Sequence, residues 1–172
     1  MSEPERTRRV LVGVRSDQPR VVLDEAVRFA RAPGPELVCA HVDVGRCVVD
    51  ERPDGTVVSR PLDPDLPELL DSDFDPVLAA HVREVGGPAA VSSRELAGDH
   101  AYALARLADI CGVDAIVVGS RQWGVRSGLE EFFGGSVAAQ FAHRQHRPVI
   151  VVPVAPVEPG TPLPWELPPA TG

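Results

Sequence analysis

At 172 residues, with 44% hydrophobic and 24% charged side chains, the chain has the make-up of one globular domain large enough to bury a core. A net charge of −8 argues against a generic nucleic-acid or anionic-membrane surface, because phosphate backbones need a basic face. All 17 basic residues are arginines, which excludes a phosphate loop of the Gly-Lys-Ser/Thr type. The three cysteines (Cys39, Cys47, Cys111) have no metal-binding spacing, and their odd number and apolar neighbours predict reduced thiols. With an opening MSEPERTRRV that lacks a signal-type apolar stretch, and no run of membrane-spanning length, the expected location is cytoplasmic.

The first element is RVLVGV (9–14), continuously apolar and β-branched like a strand buried on both faces. Residues 19–32 place Val22, Leu23, Ala26, Val27 and Ala30 at helical spacing, with Pro19 near the start and Gly34 beyond the end. ELVCAHV (36–42) is a second buried strand, whose His41 is read as a packed core histidine near the strand's end. Residues 45–72 read as an irregular acidic insertion around a PDG turn signal, most simply a solvated flap, with a lid as the sharper reading. A helix follows over roughly 75–86, with Asp75 as cap and Pro76 in the first turn. Its apolar face is Val77, Leu78, His81, Val82 and Val85.

AAVSSREL (89–96) is the third strand, and a helix capped by Asp99 follows with Leu104, Leu107, Ala108 and Cys111 as its core stripe. DAIVVGS (114–120) is the fourth strand and PVIVVP (148–153) the fifth, separated by a glycine loop and a helix over about 136–146. The proline-dense remainder, 154–172, reads as a tail. Strands alternating with helices make an α/β domain with an open parallel sheet and helices on both faces. Such folds bind ligands outside the carboxyl ends of the strands where strand order reverses, here between the first and fourth strands.

The loop at that place, GSRQWGVRSGLEEFFGGSVA (119–138), carries five glycines. Gly134, Gly135 and Ser136 precede a helix whose free N–H groups favour an anion, and glycines let backbone amides approach a phosphate closely. Arg121 and Arg126 supply planar cationic forks that an acidic protein otherwise lacks. Gly-Gly-Ser before a helix is also simply an N-cap, and Gln122 and Trp123 read either as base contacts or as loop filler. His143 and His146 lie three apart at a helix end with no third ligand type beside them, so no metal site is expected. No Ser-His-Asp order, nucleophile elbow or paired carboxylates are readable, so no catalytic residues are expected.

The combination RVLVGV, LVCAHV, DAIVVGSR, GGSVA and HRPVIVVP, in this order, resembles the universal stress protein family over about residues 8–153. The resemblance implies a five-stranded parallel sheet in the order 3-2-1-4-5, Rossmann-like and akin to the adenine nucleotide α-hydrolase group. It also implies a domain over 1–153, the 45–72 insertion and the 154–172 tail apart. Nucleotide-binding members carry Gly-x2-Gly-x9-Gly-Ser/Thr after the fourth strand. Gly119 matches its first glycine, and Gly135-Ser136 match its last pair. Gln122 stands at the second glycine, the spacer is three residues longer, and Arg15 stands where an aspartate usually follows strand one. By resemblance the cofactor-binding positions are Val14, Arg15, Val42, Val118, Gly119, Ser120, Arg121, Gln122, Gly134, Gly135, Ser136 and Val137.

The expected cofactor is ATP, with AMP or ADP as alternatives, in a stress-response regulator with at most slow ATP hydrolysis. The alternative reading is a dimeric stress-related module that no longer binds nucleotide; an enzyme of the wider nucleotide-binding α/β group ranks third. The fifth strand presents Val149, Ile150, Val151 and Val152 without charge or interior proline, so a homodimer through this edge is expected. Many relatives dimerise there, and a tail folded back over the edge is the competing reading.

Overall fold

The computed structural model describes residues 8–15, 18–30, 36–63, 80–81, 83–84, 90–120, 141, 144–154, 158 and 160. Its main sheet is five-stranded and parallel: β1 (Arg9–Gly13), β2 (Glu36–Asp43), β5 (Ala90–Ala97), β6 (Ala115–Gly119) and β7 (Val149–Val152). The order is β5-β2-β1-β6-β7. In terms of the five core strands this is the expected 3-2-1-4-5 arrangement. β1 is central because it is apolar on both faces, and Val10, Leu11 and Val12 are fully buried.

Alternation along the strands builds two cores. Val10, Val12, Leu37, Cys39 and Val117 point to one face, where helix α1 (Val21–Phe29) buries Val22, Leu23 and Ala26. Leu11, Val38, Ala40, Ile116 and Val118 point to the other, where helix α2 (His100–Cys111) buries Leu104, Leu107 and Ala108. Asp99 caps α2 as its sequence position predicts, accepting from the Tyr102 N–H at 2.8 Å. At the opposite end Gly112 takes the left-handed conformation (φ 61°). Cys111, assigned to the core stripe, is only half-buried at the last turn. Of the helix expected over 75–86, the described residues 80, 81, 83 and 84 are helical, and His81 is 7% exposed.

One edge of the sheet is β7, which pairs with β6 alone among the described strands. At the foot of the sheet, arginines tie elements together. Arg9 bonds Glu36 and the Cys111 carbonyl. Arg147 donates to the Val113 carbonyl at 2.8 Å and reaches Asp109 at 2.5 Å.

The insertion departs from expectation. Residues 46–61 are not irregular but form an antiparallel hairpin, β3 (Arg46–Glu51) with β4 (Val57–Pro61). Its turn is the PDG signal: Gly55 donates to the Arg52 carbonyl (2.9 Å) and sits at φ 82°, where glycine is favoured. The Asp54 carboxylate accepts from the Thr56 N–H (3.0 Å), and that bond holds its pKa below the ordinary carboxylate value. The hairpin lies against α2. A Cβ at Gly55 would stand 2.5 Å from Leu107 Cδ1, and Arg106 Nε donates to both Glu51 carboxylate oxygens at 3.2 Å. No helix among the described residues is long and apolar enough to cross a membrane.

Candidate functional site

The site is defined by where β1 leaves the sheet. In a parallel sheet the N–H and C=O of one residue face the same neighbouring strand, and successive residues alternate. Val14 donates to the Ala40 carbonyl (2.8 Å), so Ala40 faces β1, and Gly98 donates to the Asp43 carbonyl (2.9 Å), so Asp43 faces β5. Val42, between them in phase with Ala40, therefore turns its peptide groups toward β1. On the other side, Ile116 donates to the Pro148 carbonyl (3.0 Å) and Ser120 to the Val152 carbonyl (2.7 Å), so both face β7. Gly119, out of phase with them, faces β1.

A continued sheet would next form two rungs, Val42 N–H to the Val14 carbonyl and Arg15 N–H to the Gly119 carbonyl. Side chains take both places. His41 Nδ1 lies 3.1 Å from the Val14 carbonyl, which can only accept, so the proton is on Nδ1. Arg15 donates its N–H to Gln18 Oε1 at 2.9 Å, and Gln18 donates its own N–H back to the Arg15 carbonyl at 3.1 Å. The result is a gap at the carboxyl end of β1, faced by the Val42 N–H from one side and the Gly119 carbonyl from the other. The exposed Arg15 stands at its mouth.

This geometry brings together Val14, Arg15, Val42, Val118, Gly119 and Ser120 of the sequence-derived set. Val14 and Val118 contribute buried side chains to opposite cores, 4% and 7% exposed, so they shape the walls. The Ser120 hydroxyl accepts from the Val154 N–H at 2.9 Å, which fastens the chain leaving β7 over the end of β6. Around Gly119 the space a Cβ would need is already filled. Its position would fall 3.0 Å from Val22 Cγ2 and Val154 Cγ2, and 3.2 Å from Gln18 Nε2. Arg121, Gln122, Gly134, Gly135, Ser136 and Val137 lie outside the described residues, as does most of the proposed tail.

His41 is half-buried rather than a fully packed core residue, because its ring is spent on closing the β1 end. Gln18 escaped the sequence reading altogether. Its signal is a glutamine three residues after the strand exit, reaching back to a backbone N–H as the last residue of a capping box does. Among the described residues, no three His, Cys, Asp or Glu side chains come together as a metal site.

The sequence profile described as the universal stress protein family matches residues 6–153. Among curated proteins, none matches the sequence. Solved structures share the fold. A universal stress protein in complex with cAMP is 23% identical, with a TM-score of 0.54, over 87% of this chain and 98% of its own. One from Archaeoglobus fulgidus DSM 4304 is 19% identical, with a TM-score of 0.58, over 86% of this chain but 44% of its own. Another from Archaeoglobus fulgidus is 19% identical, with a TM-score of 0.52, over 84% and 93%.

Proposed function

We infer that this chain, which belongs to the universal stress protein family, is a stress-response regulator that binds an adenine nucleotide in the gap at the end of β1. The observation that carries the reading is the pair of missing rungs. The Val42 N–H is an oriented donor suited to a ring nitrogen of adenine, as its family position suggests. Arg15 and the arginine-bearing glycine loop after Gly119 supply cationic and backbone donors for phosphate at the other side of β1. The relative crystallised with cAMP adds weight to an adenine nucleotide as the ligand class.

ATP is the favoured ligand, with ADP and AMP as alternatives, in a cytoplasmic homodimer formed through β7. At most slow ATP hydrolysis is part of this reading, and no catalytic residue is assigned. Titration calorimetry with ATP, ADP and AMP tests the reading. Micromolar binding that disappears in Gly135→Val, where a side chain blocks backbone approach, is the expected result. Parent-like ATP binding by Gly135→Val places the site elsewhere. A second reading, a dimeric module without nucleotide binding, has one observation in its favour: Gln18, Val22 and Val154 fill the space over Gly119. It predicts no heat with any of the three nucleotides.

A further inference from the structure

We propose that Gln18 is a phosphate-contacting residue of the gap and fixes its preference for the charged end of the nucleotide. This rests on the nucleotide reading above. The carboxamide occupies the opening between β1 and β6, in the place of the rung from Arg15 to Gly119. Its orientation is set by chemistry. The Arg15 N–H can only donate, so the atom facing it at 2.9 Å must be the oxygen, and a flipped amide would set two donors against each other. The amino group is therefore held on the Gly119 side, 3.2 Å from where a Cβ of Gly119 would stand.

A second bond makes the arrangement stiff. The Gln18 N–H donates to the Arg15 carbonyl at 3.1 Å, so residues 15 and 18 are tied by backbone and side chain together. The side chain is half-buried and its Nε2 donates to no described residue. It thus offers N–H donors, already oriented, on the Gly119 side of the gap. Donors with no acceptor among the described residues, at the carboxyl end of β1 beside Gly119, suit an oxygen that carries negative charge. A ligand laid from Val42 across the end of β1 brings its phosphate, not its base, to this point. Being neutral, the carboxamide adds hydrogen bonds without requiring a divalent metal, unlike an acidic side chain facing a phosphate.

The experiment compares ATP and adenosine binding by calorimetry in the full-length protein and in two variants. Gln18→Glu keeps an oxygen for the Arg15 N–H but puts a second carboxylate oxygen where the amino group was. Gln18→Leu removes the donors outright. Both are expected to weaken ATP by about tenfold or more, the scale of a hydrogen bond to a charged group, while adenosine affinity changes less than about twofold. The loss in Gln18→Glu should exceed that in Gln18→Leu, because repulsion is added to the missing bonds. Equal or tighter ATP binding in both variants overturns the assignment, as does an equal loss for adenosine. Wild-type protein that binds neither ligand removes the nucleotide reading and this assignment with it, an outcome distinct from failure of Gln18 alone. Thermal melting of each variant without ligand verifies that the fold is intact.

Discussion

Gly119 sits in a position whose lack of a side chain has two competing explanations, ligand approach and self-packing, and Gly119→Ala separates them. The added methyl would lie 3.0 Å from Val22 Cγ2 and Val154 Cγ2 and 3.2 Å from Gln18 Nε2. Carbon pairs prefer roughly 3.5–4.0 Å, so two contacts are compressed by about half an ångström or more. Overpacking of this kind costs about 1–3 kcal/mol. Gly119 does not have a positive φ, so alanine gains about 0.4–1 kcal/mol from the restricted unfolded chain. The net expectation is a loss of about 1–2 kcal/mol, or roughly 2–8 °C in Tm for a chain of this length.

The assay is thermal and urea unfolding without nucleotide. A Val22→Ala background completes the test: with one clashing methyl gone, the Gly119→Ala penalty should shrink by about 0.5 kcal/mol or more. Ligand-free Gly119→Ala as stable as the parent, or strict additivity with Val22→Ala, would refute the self-packing account and return this glycine to the ligand.

Two further outcomes follow from burial and from the sheet edge. Burial pushes the Cys39 thiol up from 9.0 to about 12. The folded state therefore favours the protonated form, and that stability is intact below about pH 9 and lost as pH rises toward 12. Between pH 8 and pH 10 the parent should lose about 1.4 kcal/mol more than Cys39→Ala by urea unfolding, and identical losses would rule the thiol out. Val151 is 42% exposed on β7, so the β7-paired dimer predicts that Val151→Lys sediments as monomer while a chain ending near Ala155 remains dimeric. A full-length monomer at micromolar concentration would sink that proposal.

The core was legible because its signals are redundant. β1, β6 and β7 are β-branched apolar runs, β2 is continuously apolar over Leu37–Ala40, and Asp99 announced its helix by a cap whose geometry the structure contains. The hairpin was not legible for a physical reason. Its turn was visible in PDG, but β3 pairs with a register shift between Val48 and Asp50. That bulge breaks the alternation that marks a strand, and Val48, Val49 and Val58 stay exposed, so no buried face prints a period on the sequence. The hairpin is held instead by contacts distant in sequence: Gly55 against Leu107, and Glu51 with Arg106. For the candidate site, family resemblance named Arg15, Val42 and Gly119, whereas the bonds made by His41 and Gln18 emerge only once the rung phases are known.

Those two side chains change how the gap is understood. A crevice between parallel strands could be latent, with the rungs closed until a ligand pulls them apart. Here the Val14 carbonyl and the Arg15 N–H are already satisfied, by an imidazole at 3.1 Å and a carboxamide at 2.9 Å. No backbone group of β1 has to lose a partner for a ligand to enter, so the opening is settled during folding and adds nothing to the cost of binding. The consequence for variants is an asymmetry. Removing the His41 ring strands a carbonyl that the Val42 N–H can reach, which closes a rung and withdraws the donor proposed for adenine. Removing the Gln18 carboxamide strands the Arg15 N–H opposite the Gly119 carbonyl, on the side proposed for phosphate. The two ends of the gap, those proposed for adenine and for phosphate, are thus held open by different residues.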